Sequence, residues 1–377
     1  MNSSFQFTCA VSLTTAAIAL TALTGARAAD PTPDPAQAGI EVQVGFYTPK
    51  KRGELWDSWV YFHQGKYYQY YLAGPYAAWV GHDLAISDDG VHWKEHGRIV
   101  ERRAGVTMLG SGQLWKSPDF KTSGKWVANY SEWVGPGDTG KQDIMFLTST
   151  DMVNWMKADE KLRFMQNTRW YKEKGRWDCI DTVEGPDGSL YGYFTADPDP
   201  AKVNYLHCGF GFARSKDGVT WEALPPVGGD ISGDFGGIEK IGNKYYALIS
   251  HFAGHGRVVV SDKPEGPFQA QKKNFRLFGT QAESAACFPR FIHGAPGGPL
   301  VNHHYMDGVT YSAPFKAVEI DREGVLRLKW WNGHDKLKSE RVEFSLGARE
   351  GFQLLPKLSN SCGRNVHLRI KEAFVLT

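Results

Sequence analysis

The amino-acid sequence predicts an all-β protein built as a five-bladed β-propeller. Two observations carry that prediction: a turn motif ending in an aromatic residue recurs at blade-sized intervals, and a Tyr-rich hairpin precedes each copy. The motif reads Ser87-Asp88-Asp89-Gly90-Val91-His92-Trp93, then Ser149-Thr150-Asp151-Met152-Val153-Asn154-Trp155, then Ser215-Lys216-Asp217-Gly218-Val219-Thr220-Trp221. The tryptophans are 62 and then 66 residues apart. A degenerate fourth copy runs from Ser261 to Phe268. In this pattern the Asp oxygen accepts local backbone N–H groups, Gly supplies a positive φ, and the aromatic packs back between neighbouring sheets.

The hairpins follow in chain order. The first is Trp59 to Tyr68 around Gln64-Gly65, the second Gly124 to Tyr130, the third Pro186 to Tyr191, and the fourth Ile238 to Tyr246 around Gly242-Asn243. The fifth is Arg290 to Tyr305, turning at Gly297-Gly298-Pro299. Alternating β-branched and aromatic residues around short turns are a hairpin signature. Five units therefore occupy residues 42 to 330, and no stretch carries a long amphipathic helical period. The segment after Trp330 is expected to complete the last blade or to close the ring against the N-terminal segment.

Residues 1–29 read as a leader. A short apolar stretch around Ile18 to Leu23 ends in Ala26-Arg27-Ala28, a small-x-small cleavage pattern, and it is too short and too broken by Thr to span a bilayer. The expected mature chain, residues 30–377, is then a single propeller domain, secreted or periplasmic, with no membrane attachment after cleavage. A formal charge of +2 gives no basic surface for nucleic acid. Cys179, Cys208, Cys287 and Cys362 show no zinc-like spacing, although export permits a disulfide. The chain holds 13 Trp, 16 Tyr and 21 Phe beside 42 Gly, a composition that suits both inter-sheet packing and sugar-binding faces.

In a propeller the first strand of each blade lines the axis, so residues at the starts of those strands converge on one channel mouth. Blade one begins Trp56-Asp57-Ser58-Trp59 and blade three begins Trp177-Asp178-Cys179-Ile180. Blade four offers Asp234-Phe235-Gly236-Gly237. Asp57, Asp178 and Asp234 are the expected catalytic set. Asp181 is an alternative to Asp178, because its spacing to Tyr191 equals that of Asp57 to Tyr67, and Glu239 is an alternative to Asp234. Glycoside hydrolysis needs two carboxyl groups flanking the bond, and a third tunes the acid by like-charge repulsion.

With these residues, and with Gly81-His82-Asp83-Leu84-Ala85-Ile86-Ser87 and Leu300-Val301-Asn302-His303-His304, the chain resembles the five-bladed propeller glycoside hydrolases of families 32 and 43 over residues 42 to 310. The resemblance implies that Asp57 is nucleophile or base, that Asp178 stabilises the transition state, and that the blade-four carboxylate is the acid. Three departures mark a divergent member: Asp-Ser-Trp stands for Asp-Pro-Asn, Trp-Asp-Cys for Arg-Asp-Pro, and Asp234 for a Glu.

Trp56, Trp59, Trp177, Gln113, Arg290 and His303 form the expected substrate-binding set. Either His303 or His304 enters the channel, not both, because successive strand residues face opposite ways. His82, His251 and His255 lack metal-ligand spacing, and the expected chemistry uses neither metal nor cofactor. The function expected is hydrolysis of a glycosidic bond in a furanoside or small oligosaccharide. The alternatives are a non-catalytic carbohydrate-binding propeller and a transglycosidase on the same fold.

Overall fold

The computed structural model describes residues 45–338, apart from 52–53, 76–77, 136–139, 204–209, 230–232, 252–254, 275, 280–285 and 308. The leader expected at 1–29 and the segment 339–377 lie outside the described residues. Five antiparallel sheets follow one another along the chain.

Blade one is β1 (Trp56–His63), β2 (Lys66–Ala73), β3 (Gly81–Ser87) and β4 (Lys94–Glu101). Blade two is β5 (Met108–Lys116), β6 (Trp126–Val134), β7 (Lys141–Ser149) and β8 (Met156–Lys157). Blade three is β9 (Trp177–Glu184), β10 (Leu190–Ala196), β11 (Gly211–Ser215) and β12 (Glu222–Leu224). Blade four is β13 (Asp234–Ile241), β14 (Lys244–His251), β15 (His255–Ser261), β16 (Gln269–Ala270) and β17 (Arg276–Gly279). Blade five is β18 (Ala286–Ile292), β19 (Leu300–Asp307), β20 (Val309–Ser312), β21 (Lys316–Ile320) and β22 (Leu326–Trp330). The first strands β1, β5, β9, β13 and β18 each touch the next, and β18 touches β1, so they form a closed ring around the axis.

The repeated turn does the work its residues suggest. Ser87 Oγ accepts from the Gly90 N–H at 2.8 Å, and Asp89 Oδ1 accepts from the Val91 and His92 N–H groups, both at 2.8 Å. The same bonds recur at Ser149/Asp151 and Ser215/Asp217. The fourth residue of each motif adopts positive φ, and in blade two this is Met152 at 62° rather than a glycine.

These turns also join the blades. An aromatic donor from one blade caps a turn carbonyl of the next: Tyr70 to Met152 at 2.6 Å, Trp115 to Gly218 at 3.2 Å, Tyr193 to Pro264 at 2.8 Å and Tyr246 to Gly324 at 2.9 Å. At the remaining seam Trp331, just after β22, packs so closely on Gly90 that a Cβ there would lie 2.7 Å from its ring. Tyr47 and Ser312 exchange backbone bonds at 3.0 and 2.7 Å, so the start of the described chain joins blade five. Apolar clusters fill the spaces between sheets, for example Trp59, Tyr70, Leu114 and Trp126 between blades one and two, or Trp177, Phe194, Ile144 and Phe146 between blades two and three. Burial of these large side chains is the main stabilising term of the ring.

All five inner strands carry a register shift near their leading ends: between Trp56 and Trp59, Leu109 and Gly112, Phe235 and Gly237, Cys287 and Arg290, and on β9 between Asp178 and Asp181. One extra residue is thus inserted in every inner strand, which bends it and re-aims its side chains.

Candidate active site

The bulges impose strain where the carboxylates stand. Asp57, Cys179 and Phe288 occupy corresponding bulge positions in β1, β9 and β18, with φ of 44°, 35° and 52°. Positive φ in a residue with a Cβ costs of order 1–3 kcal/mol and persists only where the surroundings over-determine it, commonly at functional sites. Asp57 therefore corresponds to Cys179 in blade three, and Asp178 reaches the same mouth from one position earlier.

Asp57, Asp178 and Asp234 are brought together. Asp57 is 8% exposed, and its Oδ1 has no hydrogen-bond partner among the described residues. Burial pushes its carboxyl up to about 7; Arg290 and Arg176 oppose the shift, while Asp178 and Asp234 add to it. Asp178 Oδ1 accepts from Ser131 Oγ at 2.6 Å, and Ser131 in turn accepts from Gln142 Nε2 at 2.7 Å. Asp234 Oδ1 lies 2.9 Å from Arg176 Nη2, which also reaches Asp178 Oδ2 at 3.2 Å. Burial raises the Asp234 pKa, Arg176 pulls it back, and Asp178 and Asp197 add to the rise.

Arg290 lies beneath these carboxylates. It is 1% exposed, and it donates to the Gly112 and Gly236 carbonyls at 3.3 Å each and to Ser111 Oγ at 2.9 Å, with Cys179 Sγ at 3.5 Å. A guanidinium so enclosed acts on the site as a fixed positive charge. Burial pushes the Cys179 thiol up to about 11, so it stays neutral there.

The aromatic side of the mouth is made by Trp56, which stacks on Trp79 at 5.7 Å and lies 4.2 Å from the His304 ring. His304 Nδ1 is 3.9 Å from Asp57 Oδ1. Burial, then the neighbouring His303 and Arg290, hold its imidazole neutral. Strand alternation thus turns His304, rather than His303, toward Asp57.

No family model matches the sequence, and comparison with curated proteins gives no match. Solved structures do match. The propeller is similar to a thermostable family-43 glycoside hydrolase at a TM-score of 0.56 and 16% identity, over 74% of this chain and 94% of that one. It is similar to the Bombyx mori GH32 β-fructofuranosidase at 0.62 and 13%, over 80% and 68% of the two chains. A GH43 β-xylosidase/α-arabinofuranosidase from a compost microbial metagenome gives 0.55 and 12%, over 73% and 94%. The chain has the fold of the family 43 and family 32 propeller glycoside hydrolases.

Within this glycosidase fold, several residues expected at the site stand elsewhere. Trp59 is buried at the seam of blades one and two, stacked on Tyr70 at 5.8 Å. Trp177 is fully enclosed by Phe164, Tyr171 and Phe194, its indole donating to the Phe164 carbonyl at 3.0 Å. As placed, neither presents a face to a sugar. Gln113 is buried and turns its Oε1 back to the Leu114 N–H at 3.2 Å. His303 points away from Asp57, with Nδ1 2.9 Å from the His304 carbonyl, and burial and Lys316 push its pKa down to about 3. Arg290 has its terminal donors engaged by protein, so it has no free fork to offer a ligand.

The alternates also fall away from the mouth. Asp181 accepts from the Thr182 and Ile238 N–H groups at 2.8 and 2.9 Å, and both Asp181 and Glu239 bind His293. Arg176 and Ser131 are the residues of the candidate site that sequence reasoning missed, and of the pair His303 and His304 the binding set named His303, whereas it is His304 that approaches Asp57. Arg176 had a local signal, since it stands two residues before Asp178.

Proposed function

We propose that the chain is a glycoside hydrolase that cleaves a furanoside or small oligosaccharide outside the cytoplasm, with Asp57, Asp178 and Asp234 as its reacting carboxylates. The observation that carries this reading is Asp57: a strained, buried carboxyl with an oxygen that no described residue hydrogen-bonds and a proton affinity near neutrality. A group of that pKa is suited to general acid–base work at neutral pH.

In the proposed reaction Asp57 is the nucleophile or the base toward water. Asp234 donates a proton to the leaving oxygen, its proton affinity raised by burial and by Asp178. Asp178, held by Ser131 and Arg176, stabilises the positive charge that develops on the sugar ring. Trp56 supplies an apolar face and His304 a neutral polar group for the bound sugar.

A binding propeller is the second reading, favoured by one observation: Arg176 holds Asp178 and Asp234 together as its counter-ions, which works against a protonated acid in blade four. Product analysis after incubation with fructans, arabinans and agar- or plant-derived oligosaccharides tests the choice. Release of sugar supports the hydrolase, and sugar binding without release across the panel supports the second reading.

A further inference from the structure

A second polar cluster lies further along the inner strands than Asp57. His293, directly after β18, places Nε2 2.9 and 3.2 Å from the two oxygens of Asp181 on β9, and Nδ1 2.9 Å from Glu239 Oε2 on β13. Its carbonyl accepts from the Phe62 N–H of β1 at 2.9 Å. One residue of blade five is therefore bonded to three other blades.

Both ring nitrogens face carboxylates, so each must donate, and only the imidazolium can do so. Burial opposes the charge, and Asp181 and Glu239 overcome it and hold the His293 pKa well above the ordinary histidine value. Tyr61 of β1 faces the same carboxylates; burial, then Glu239 and Asp181, push its phenol up to about 12, so it stays neutral. Arg290 on β18 spends its terminal donors higher in the channel.

Asp181 is also the tie between two strands, because its Oδ2 accepts the Ile238 N–H of β13 at 2.9 Å. Asp178 stands three residues before Asp181, and Asp234 four before Ile238. A Cβ on Gly237 would lie 3.0 Å from Asp181 Oδ2, so this approach of β9 and β13 is close.

We propose that His293 is a positioning residue: by bridging Asp181 and Glu239 it sets the separation of β9 and β13, and hence that of Asp178 and Asp234 nearer the leading ends of the same strands. The proposal rests on the glycosidase reading for its catalytic consequence only. Strands that part weaken the Arg176 bridge, leave the carboxylate charge less offset, and raise the proton affinity of Asp57.

His293→Gln keeps a donor for Asp181 and removes the charge, while Glu239→Gln keeps the Asp181 pair. Charge alone would move the Asp57 midpoint up in the first variant and down in the second. A positional effect moves it up in both, by about half a pKa unit or more, and lowers kcat about ten-fold with KM little changed. The midpoint is read from the carboxyl 13C resonance of Asp57 in aspartate-labelled protein. An unmoved midpoint with parental kcat in the folded variants, or shifts of opposite sign, overturns the proposal. If His293→Gln does not fold, the sign in Glu239→Gln decides alone. If the parent turns over no sugar, the glycosidase reading fails, and the two midpoints still decide the role of His293.

Discussion

Arg176 Nη2 lies 2.9 Å from Asp234 Oδ1, and the same nitrogen reaches Asp178, so one guanidinium ties the leading ends of neighbouring inner strands. Arg176 also counters the rise in the Asp57 pKa. Arg176→Gln is therefore expected to move the Asp57 midpoint upward, by about 1 unit at most because the side chain is partly exposed. Carboxyl 13C titration of Asp57 checks this, and a downward shift would contradict it.

Asp57 should weaken the fold it serves. Its folded pKa of about 7 lies above the unfolded value of about 3.9. The native state thus binds the proton more tightly, and its advantage is complete below pH ~4 and is lost as pH rises through about 7. Asp57→Asn removes that loss, so the variant should be more stable than the parent at pH 8 by a few kcal/mol, about 1.4 kcal/mol for each pKa unit of the shift. Urea unfolding at pH 4 and pH 8 tests this; equal differences at both pH values would count against it.

Turnover should follow the same group. If Asp57 acts as nucleophile or base, kcat/KM rises with pH as its carboxyl ionises near pH 7. A pH–rate profile flat from pH 5 to 8 contradicts this assignment.

The seams between blades offer a test of the fold. Tyr70→Phe and Tyr193→Phe each remove one hydroxyl from a buried turn carbonyl, at 2.6 and 2.8 Å. Each should cost about 1–3 kcal/mol, the penalty for an unsatisfied buried acceptor. The two sites share no partner, so their costs should add within about 0.5 kcal/mol in the double variant. Chemical denaturation of the three proteins measures both quantities.

The propeller was legible because its markers are local. The Ser-x-Asp-Gly turn and the hairpin each lie within a few residues, and their chemistry fixes a backbone whatever surrounds it. Levels along the inner strands were harder to read, for two reasons of geometry. A bulge adds one residue to each inner strand, and the turn of blade three spans 185–189 where that of blade one spans 64–65. Counting back from Tyr191 therefore set Asp181 level with Asp57, whereas the structure sets Asp181 level with Trp59, one step deeper. His304 was hidden by the same one-residue ambiguity. The burial of Trp177 was hidden because its partner Phe164 comes from a loop of the preceding blade, which no strand period reports.

The most direct test is to compare the parent and Asp57→Asn on the oligosaccharide that the parent cleaves, measuring kcat by product release and sugar affinity by calorimetry. The expected result is loss of turnover by at least about 10³-fold, in keeping with removal of a reacting group, with binding and fold retained. An Asp57→Asn protein that releases sugar at the parental rate would show that the chemistry lies elsewhere.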